Sequence, residues 1–268
     1  MQIDWRRMSE PQPDGYDTAI LLELEKGSGQ GRAVLPDKAH RLYAGGVLLS
    51  NEDPLIPAPR YGPVEGVPPA LDRAIAYVAR WPAMSRQWPA IVRTIQCFTD
   101  TETRRPLCSS SHSVGSRPGV IALTVDCPLA AAQAIVHEAA HLKLRMMGVG
   151  NESADRIVAN APDLLYESPI VTEMLRPMTA VLHAQYSFMH VLQLDLEMLS
   201  QEDDPLVRED IRSLVARNAP RMAKGLATLR RELRTDAIGA EFCDGFFGWC
   251  DAALKASRDV VRMGCDDA

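Results

Sequence analysis

His137 and His141 stand four residues apart in a His-Glu-Ala-Ala-His motif, with Glu138 directly after the first of them. On a helix, four residues make about one turn and roughly 6 Å of rise, so both imidazoles leave the same face and can converge on one metal ion. Glu138 sits close enough to such an ion to act on a bound water or to orient a ligand from behind it. The alternative is two histidines hydrogen-bonded in a core. Ala134, Ala139 and Ala140 let other elements approach this helix closely, which suits a site assembled from several segments.

Two imidazoles leave a metal short of donors, so a third ligand has to come from elsewhere. After His141 the chain runs Leu-Lys-Leu-Arg-Met-Met-Gly, without the glycine and further histidine that extend the motif in metzincins. The first downstream carboxylate, Glu152, follows Gly148 and Gly150 in an Asn-Glu-Ser-Ala-Asp turn, where a solvated helix cap explains it equally well. His183 is the stronger candidate, because Leu182, Tyr186 and Met189 form an apolar stripe that turns it inward, and His190 shares that face. A satisfied core histidine remains the alternative for His183. Arg176 precedes Pro177 and sits just outside the same helix, about 10 Å of rise before His183. A guanidinium there can grip one end of a small dicarboxylate whose other end chelates the metal, or it can form an ordinary surface salt bridge.

The elements that must hold these residues are legible from periodicity. Asp126-Cys127-Pro128 has the form of a helix start, Leu129 to Met147 continues with good helix formers, and Gly148 closes the run. A second long helix is expected from Pro177 to Leu199, and two or three amphipathic helices from Pro205 to Met263, interrupted by Pro220 and Gly225. Upstream, β-branched alternation predicts strands over Ala90 to Phe98 and Val120 to Val125. The Ser/Gly-rich stretch between them, Cys108 to Gly119, holds His112 and suits a flexible turn or a mobile lid. Leu71 to Ala79 has helical spacing that Trp81-Pro82 should stop. The run Asp17 to Glu25 fits a short helix or a strand. Six prolines and two glycines between Asp53 and Pro69 favour an irregular connector. The expectation is α+β, predominantly helical: a small β element before the HExxH helix and a C-terminal helical bundle. One domain is expected over 1–268, with an N-terminal subregion at 1–115, a metal-binding core at 117–199 and C-terminal helices at 200–268.

A formal charge of -6 argues against the broad basic surface that nucleic-acid binding needs. Asp4, Arg6, Arg7 and Glu10 interrupt any signal-like apolar stretch, and no later run has membrane length, so a cytoplasmic protein is expected. Six cysteines without a Cys-x-x-Cys pair fit reduced thiols, and Cys243 and Cys250 can share a helix face without an assigned role. The basic run Arg217 to Arg234 reads as a solvated helix face, or as a dock for an acidic substrate or leader.

The segments His137-Glu138-Ala139-Ala140-His141-Leu142-Lys143-Leu144, Tyr166-Glu167-Ser168-Pro169, Arg176-Pro177 and Val181-Leu182-His183-Ala184-Gln185-Tyr186-Ser187-Phe188 together resemble the HExxH-motif peptide-modification proteins. That family includes 2-oxoglutarate-dependent peptide β-hydroxylases associated with ribosomally made peptide natural products. The likeness spans roughly Arg117 to Leu199. It implies Fe(II) held by His137, His141 and His183, 2-oxoglutarate anchored by Arg176, Glu138 in support, and hydroxylation of a C–H bond on a peptide or carrier-bound amino acid. A zinc metallopeptidase with Glu138 as general base is the alternative from the motif alone, and a non-catalytic metal-binding protein is a third.

Overall fold

A computed structural model describes residues 2–27, 40–41, 46–56, 60–102 and 106–266 of the chain. The fold is α+β, 56% helical, with a small mixed sheet followed by C-terminal helices. The Asp17 to Glu25 run resolves as a helix, α1 (Tyr16–Gly27), after a single 3-10 turn at Arg7–Ser9. Strands β1 (His40–Arg41) and β2 (Leu48–Leu49) pair antiparallel, and β3 (Tyr61–Pro63) follows.

Helices α2 (Pro69–Val78) and α3 (Pro82–Ile91) come next, each opened by a proline in its first turn. Pro82 was expected only to end a helix, yet it also begins one: its fixed φ and missing N–H cost nothing in a first turn. The strand predicted from Ala90 therefore starts later, as β4 (Thr94–Asp100). The Pro-rich connector is corrected as well. Tyr61–Pro63 within it is a strand that pairs antiparallel with β4, on an edge where a proline without an N–H is tolerated, while 57–59 lie outside the described residues.

The Ser/Gly-rich stretch contributes β5 (Ser111–His112), antiparallel to β6 (Val120–Thr124), and β6 runs parallel to β4 from Thr94↔Val120 to Phe98↔Thr124. The sheet order is β1-β2-β4-β6-β5, with β3 sharing the β4 edge that β2 occupies at its other end. All of β6 is buried, which is why it reads as an uninterrupted apolar run.

From β6 the chain enters the HExxH helix α4 (Pro128–Met146), packed against α2 and against α5 (Met178–Gln201). Between them β7 (Leu165–Tyr166) and β8 (Arg176–Pro177) form a two-stranded ribbon. Two long helices complete the chain, α6 (Pro205–Glu232) and α7 (Ala237–Asp266), the side chains of the last residues, Cys265 among them, lying outside the described set.

Pro220 and Gly225 were expected to interrupt α6, and they do not. Gly225 is a packing residue: a Cβ there would lie 2.1 Å from Gln185 Oε1 and 2.7 Å from Pro169 Cβ, so α6 crosses α5 and the Ser168-Pro169 segment at a distance only glycine permits. One core runs through sheet and helices, with Ile95, Ile121, Ile135, Leu182 and Met222 among its fully buried members. Among the described residues, no helix is long and apolar enough to cross a membrane.

Candidate metal and co-substrate site

α4 presents its two histidines toward α5, and α5 answers with His183. His137 Nε2 and His141 Nε2 lie 3.0 Å apart, and their rings meet edge to face. On the opposite edge of its ring, His141 Nδ1 lies 2.9 Å from His183 Nδ1. His183 Nε2 in turn lies 2.9 Å from the Val149 carbonyl. A carbonyl only accepts, so His183 carries its proton on Nε2 and presents a lone pair on Nδ1. His141 then donates from Nδ1, which leaves the lone pair of His141 Nε2 facing His137.

Val149 reaches this position because Gly148 ends α4 at φ +86°, a left-handed backbone that folds the chain back over the helix. Burial lowers the proton affinity of all three rings, that of His183 to about 3. At neutral pH they are uncharged, and the lone pair of His183 accepts from His141 while that of His141 faces His137.

These residues line a cavity of about 230 Å³ together with Asn151, Ser168, Ile170, Arg176 and Phe188. Arg176, half-buried in β8, makes one weak contact, 3.7 Å from its guanidinium to Met174 Sδ. No carboxylate lines this cavity among the described residues. Nor do three donors from His, Cys, Asp or Glu surround a single point among them, because the His141 ring stands between its two neighbours and faces one nitrogen to each. The Nε2 atoms of two imidazoles therefore face one another, and a third imidazole lies one ring away.

Glu138 is buried and points to the sheet side of α4. Its Oε1 accepts from Ser111 Oγ at 2.7 Å and its Oε2 accepts from Ser113 Oγ. Arg145, two turns along, donates to Ser113 Oγ at 2.8 Å and to the Ser113 carbonyl at 3.2 Å. Glu138 Oε1 is 3.9 Å from His137 Nε2. In the stretch read as a flexible turn or a mobile lid, Ser111 pairs with the sheet and both Ser111 and Ser113 donate to the motif helix.

The other candidates fall elsewhere. Glu152 is exposed in the bend after Gly150 and does not line the cavity. His190 is fully buried in an aromatic cluster with Trp81, Tyr186 and Trp249, its Nδ1 2.8 Å from the Tyr186 carbonyl. Cys243 and Cys250 are buried thiols on α7.

Sequence reasoning missed Ser111, Ser113, Arg145 and the Val149 carbonyl. Arg145 falls seven residues after Glu138 on one helical face, which was a readable signal. The serines belong to a stretch whose composition suggested only flexibility, and a main-chain carbonyl has no signature in sequence. No family model matches this sequence, and no curated protein matches it.

Proposed function

We propose that this chain is a non-haem Fe(II)/2-oxoglutarate-dependent oxygenase that hydroxylates a C–H bond of a peptide or amino-acid-derived substrate in natural-product biosynthesis. The observation that carries the reading is the meeting, in one cavity of about 230 Å³, of three uncharged histidines with a half-buried arginine that no carboxylate neutralises among the described residues. Neutral imidazole suits Fe as well as Zn. His137 and His141 would hold the ion through their facing Nε2 atoms, and His183 would join them only by giving up its hydrogen bond from His141; the ion when bound supplies the activation of O2.

The residues divide the remaining work. Arg176 binds the distal carboxylate of 2-oxoglutarate, a charge-assisted contact that can be bidentate. Phe188, whose ring is 4.9 Å from that of His137, shields one side from water. Val149 and His183 fix the tautomer of His141. Glu138, held by two serine hydroxyls, steadies the helix face behind His137.

The reaction balances as one oxygen atom of O2 entering the C–H bond and the other entering succinate, with CO2 released from the 2-oxo acid. A zinc peptidase would instead need Glu138 free to take a proton from water. Each of its oxygens accepts one hydrogen bond from a serine, and Oε1 lies 3.9 Å from His137 Nε2, so Glu138→Gln with a peptidase assay separates the two roles.

Calorimetric titration of 2-oxoglutarate into the metal-loaded protein without O2 tests this. Arg176→Ala should weaken binding by about tenfold or more with metal content intact, and His183→Ala should lower metal content. Unchanged 2-oxoglutarate affinity in Arg176→Ala would remove the anchor assignment.

A further inference from the structure

A second cavity, of about 480 Å³, lies beside the first, and His137 and Phe188 line both. Its volume falls within the range of small-ligand sites, roughly 300–1,000 Å³, and it is about twice that of the chamber holding Arg176. Arg217 and Arg221 of α6 line it from above. They are four residues apart, so they leave one helix face with about 6 Å of rise between them.

Both arginines are exposed, and among the described residues neither has a carboxylate within salt-bridge distance. Arg217 reaches only the Leu107 carbonyl at 3.3 Å, Cys108 Sγ at 3.8 Å and its neighbour Asn218 Oδ1 at 3.5 Å. Asp195, the acid that feels Arg217, is buried, and both its oxygens accept from Gln133 Nε2. Elsewhere on α6, Arg208 donates to the Leu199 and Glu202 carbonyls, Arg212 meets Glu209 at 3.6 Å, Lys224 meets Glu167 at 3.1 Å, Arg230 meets Asp251 at 2.6 Å and Arg231 meets Glu232 at 2.6 Å. In a chain with a formal charge of -6, two guanidinium groups meet no carboxylate among the described residues where the helix overlooks this cavity.

We propose that this larger cavity receives the substrate, and that the substrate is a peptide segment carrying an aspartate or glutamate side chain beside the residue to be oxidised. The oxidation rests on the oxygenase reading, while the docking rests on the two arginines. An acidic side chain pairs with Arg217 and Arg221, and the adjoining residue of the peptide extends toward His137 and the boundary with the co-substrate chamber. Cys108 lines the same cavity with an exposed thiol and reports on its occupancy.

The test uses the full chain and two peptides of equal length with an uncharged fluorophore, one alternating glycine with aspartate and the other glycine with asparagine. The aspartyl peptide should bind at least tenfold more tightly and should slow alkylation of Cys108 by iodoacetamide, read by peptide mapping. The Arg217→Gln/Arg221→Gln variant, altered only at exposed positions, should lose that preference while keeping the wild-type melting temperature. Equal binding of the two peptides, a preference unchanged in the variant, or no protection of Cys108 would each overturn the proposal. Succinate formation from 2-oxoglutarate, followed on the same preparations, separates the two readings. A peptide preference without succinate sinks the oxygenase and leaves the dock, and succinate without the preference sinks the dock and leaves the oxygenase.

Discussion

Asp195 is a carboxyl whose protonation the fold alters. It is fully buried on α5, and desolvation raises its carboxyl to about 7 against hydrogen bonds from Gln133 and the charge of Arg217. Between about pH 4 and pH 7 the folded chain keeps a proton that the unfolded chain has released, so stability falls as pH rises through that window. Asp195→Asn should remove this dependence, with the gain over wild type larger at pH 8 than at pH 5 by on the order of 2 kcal/mol in urea unfolding. Identical pH profiles for the two proteins would show that Asp195 is ionised in the fold. At this same scale the sequence was informative about the histidines and charged groups and silent about their partners. His137, His141, His183 and Arg176 announce themselves by type and spacing, and the structure brings them to one cavity. The orientation of each ring depends on what its other nitrogen meets, and the Val149 carbonyl that fixes His183 could be any residue's.

Among the elements, α4 and α5 were legible to within two residues at each end, because long helices with a bounded apolar face leave a redundant signal. The failures concern proline and glycine, whose meaning depends on position. Pro82 starts a helix as readily as it ends one, Pro63 is admitted on a strand edge, and Pro220 is carried inside α6 at an exposed position. Gly225 looked like a break and is a close contact. Gly225→Ala adds helix propensity of about 1 kcal/mol but places a methyl group on Gln185 and Pro169. Gln185 is fully buried and donates to the Met222 carbonyl at 2.9 Å, so it has little room to yield. The clash should prevail, with a net loss of about 1–3 kcal/mol. A variant as stable as wild type would show that α6 can move away from α5. Behind the motif, the buried Lys143–Asp17 pair ties α4 to α1, with Gln87 of α3 also donating to Asp17. A lone charge at that depth is costly, so the pair fixes how the motif helix seats.

Across the whole molecule, sheet and helices divide the task of holding the motif helix. The sheet side supplies Ser111 and Ser113 to Glu138, and the helical side supplies His183, Phe188 and the arginines of α6. The histidine-bearing face of α4 lies where these two halves meet, with a small chamber toward Arg176 and a larger one toward Arg217 and Arg221. The α+β class with helix dominant was legible because composition and periodicity are averaged over many residues. The two-chamber arrangement was not, since it arises from contacts between segments far apart in sequence. The most direct test of the account is the conversion of 2-oxoglutarate to succinate by the purified chain in the presence of O2. The account predicts succinate formation that requires Fe(II), is not supported by Zn(II), and is abolished in His137→Ala and His141→Ala. Absence of succinate from the iron-loaded protein, together with zinc-dependent cleavage of peptides that Glu138→Gln abolishes, would contradict it.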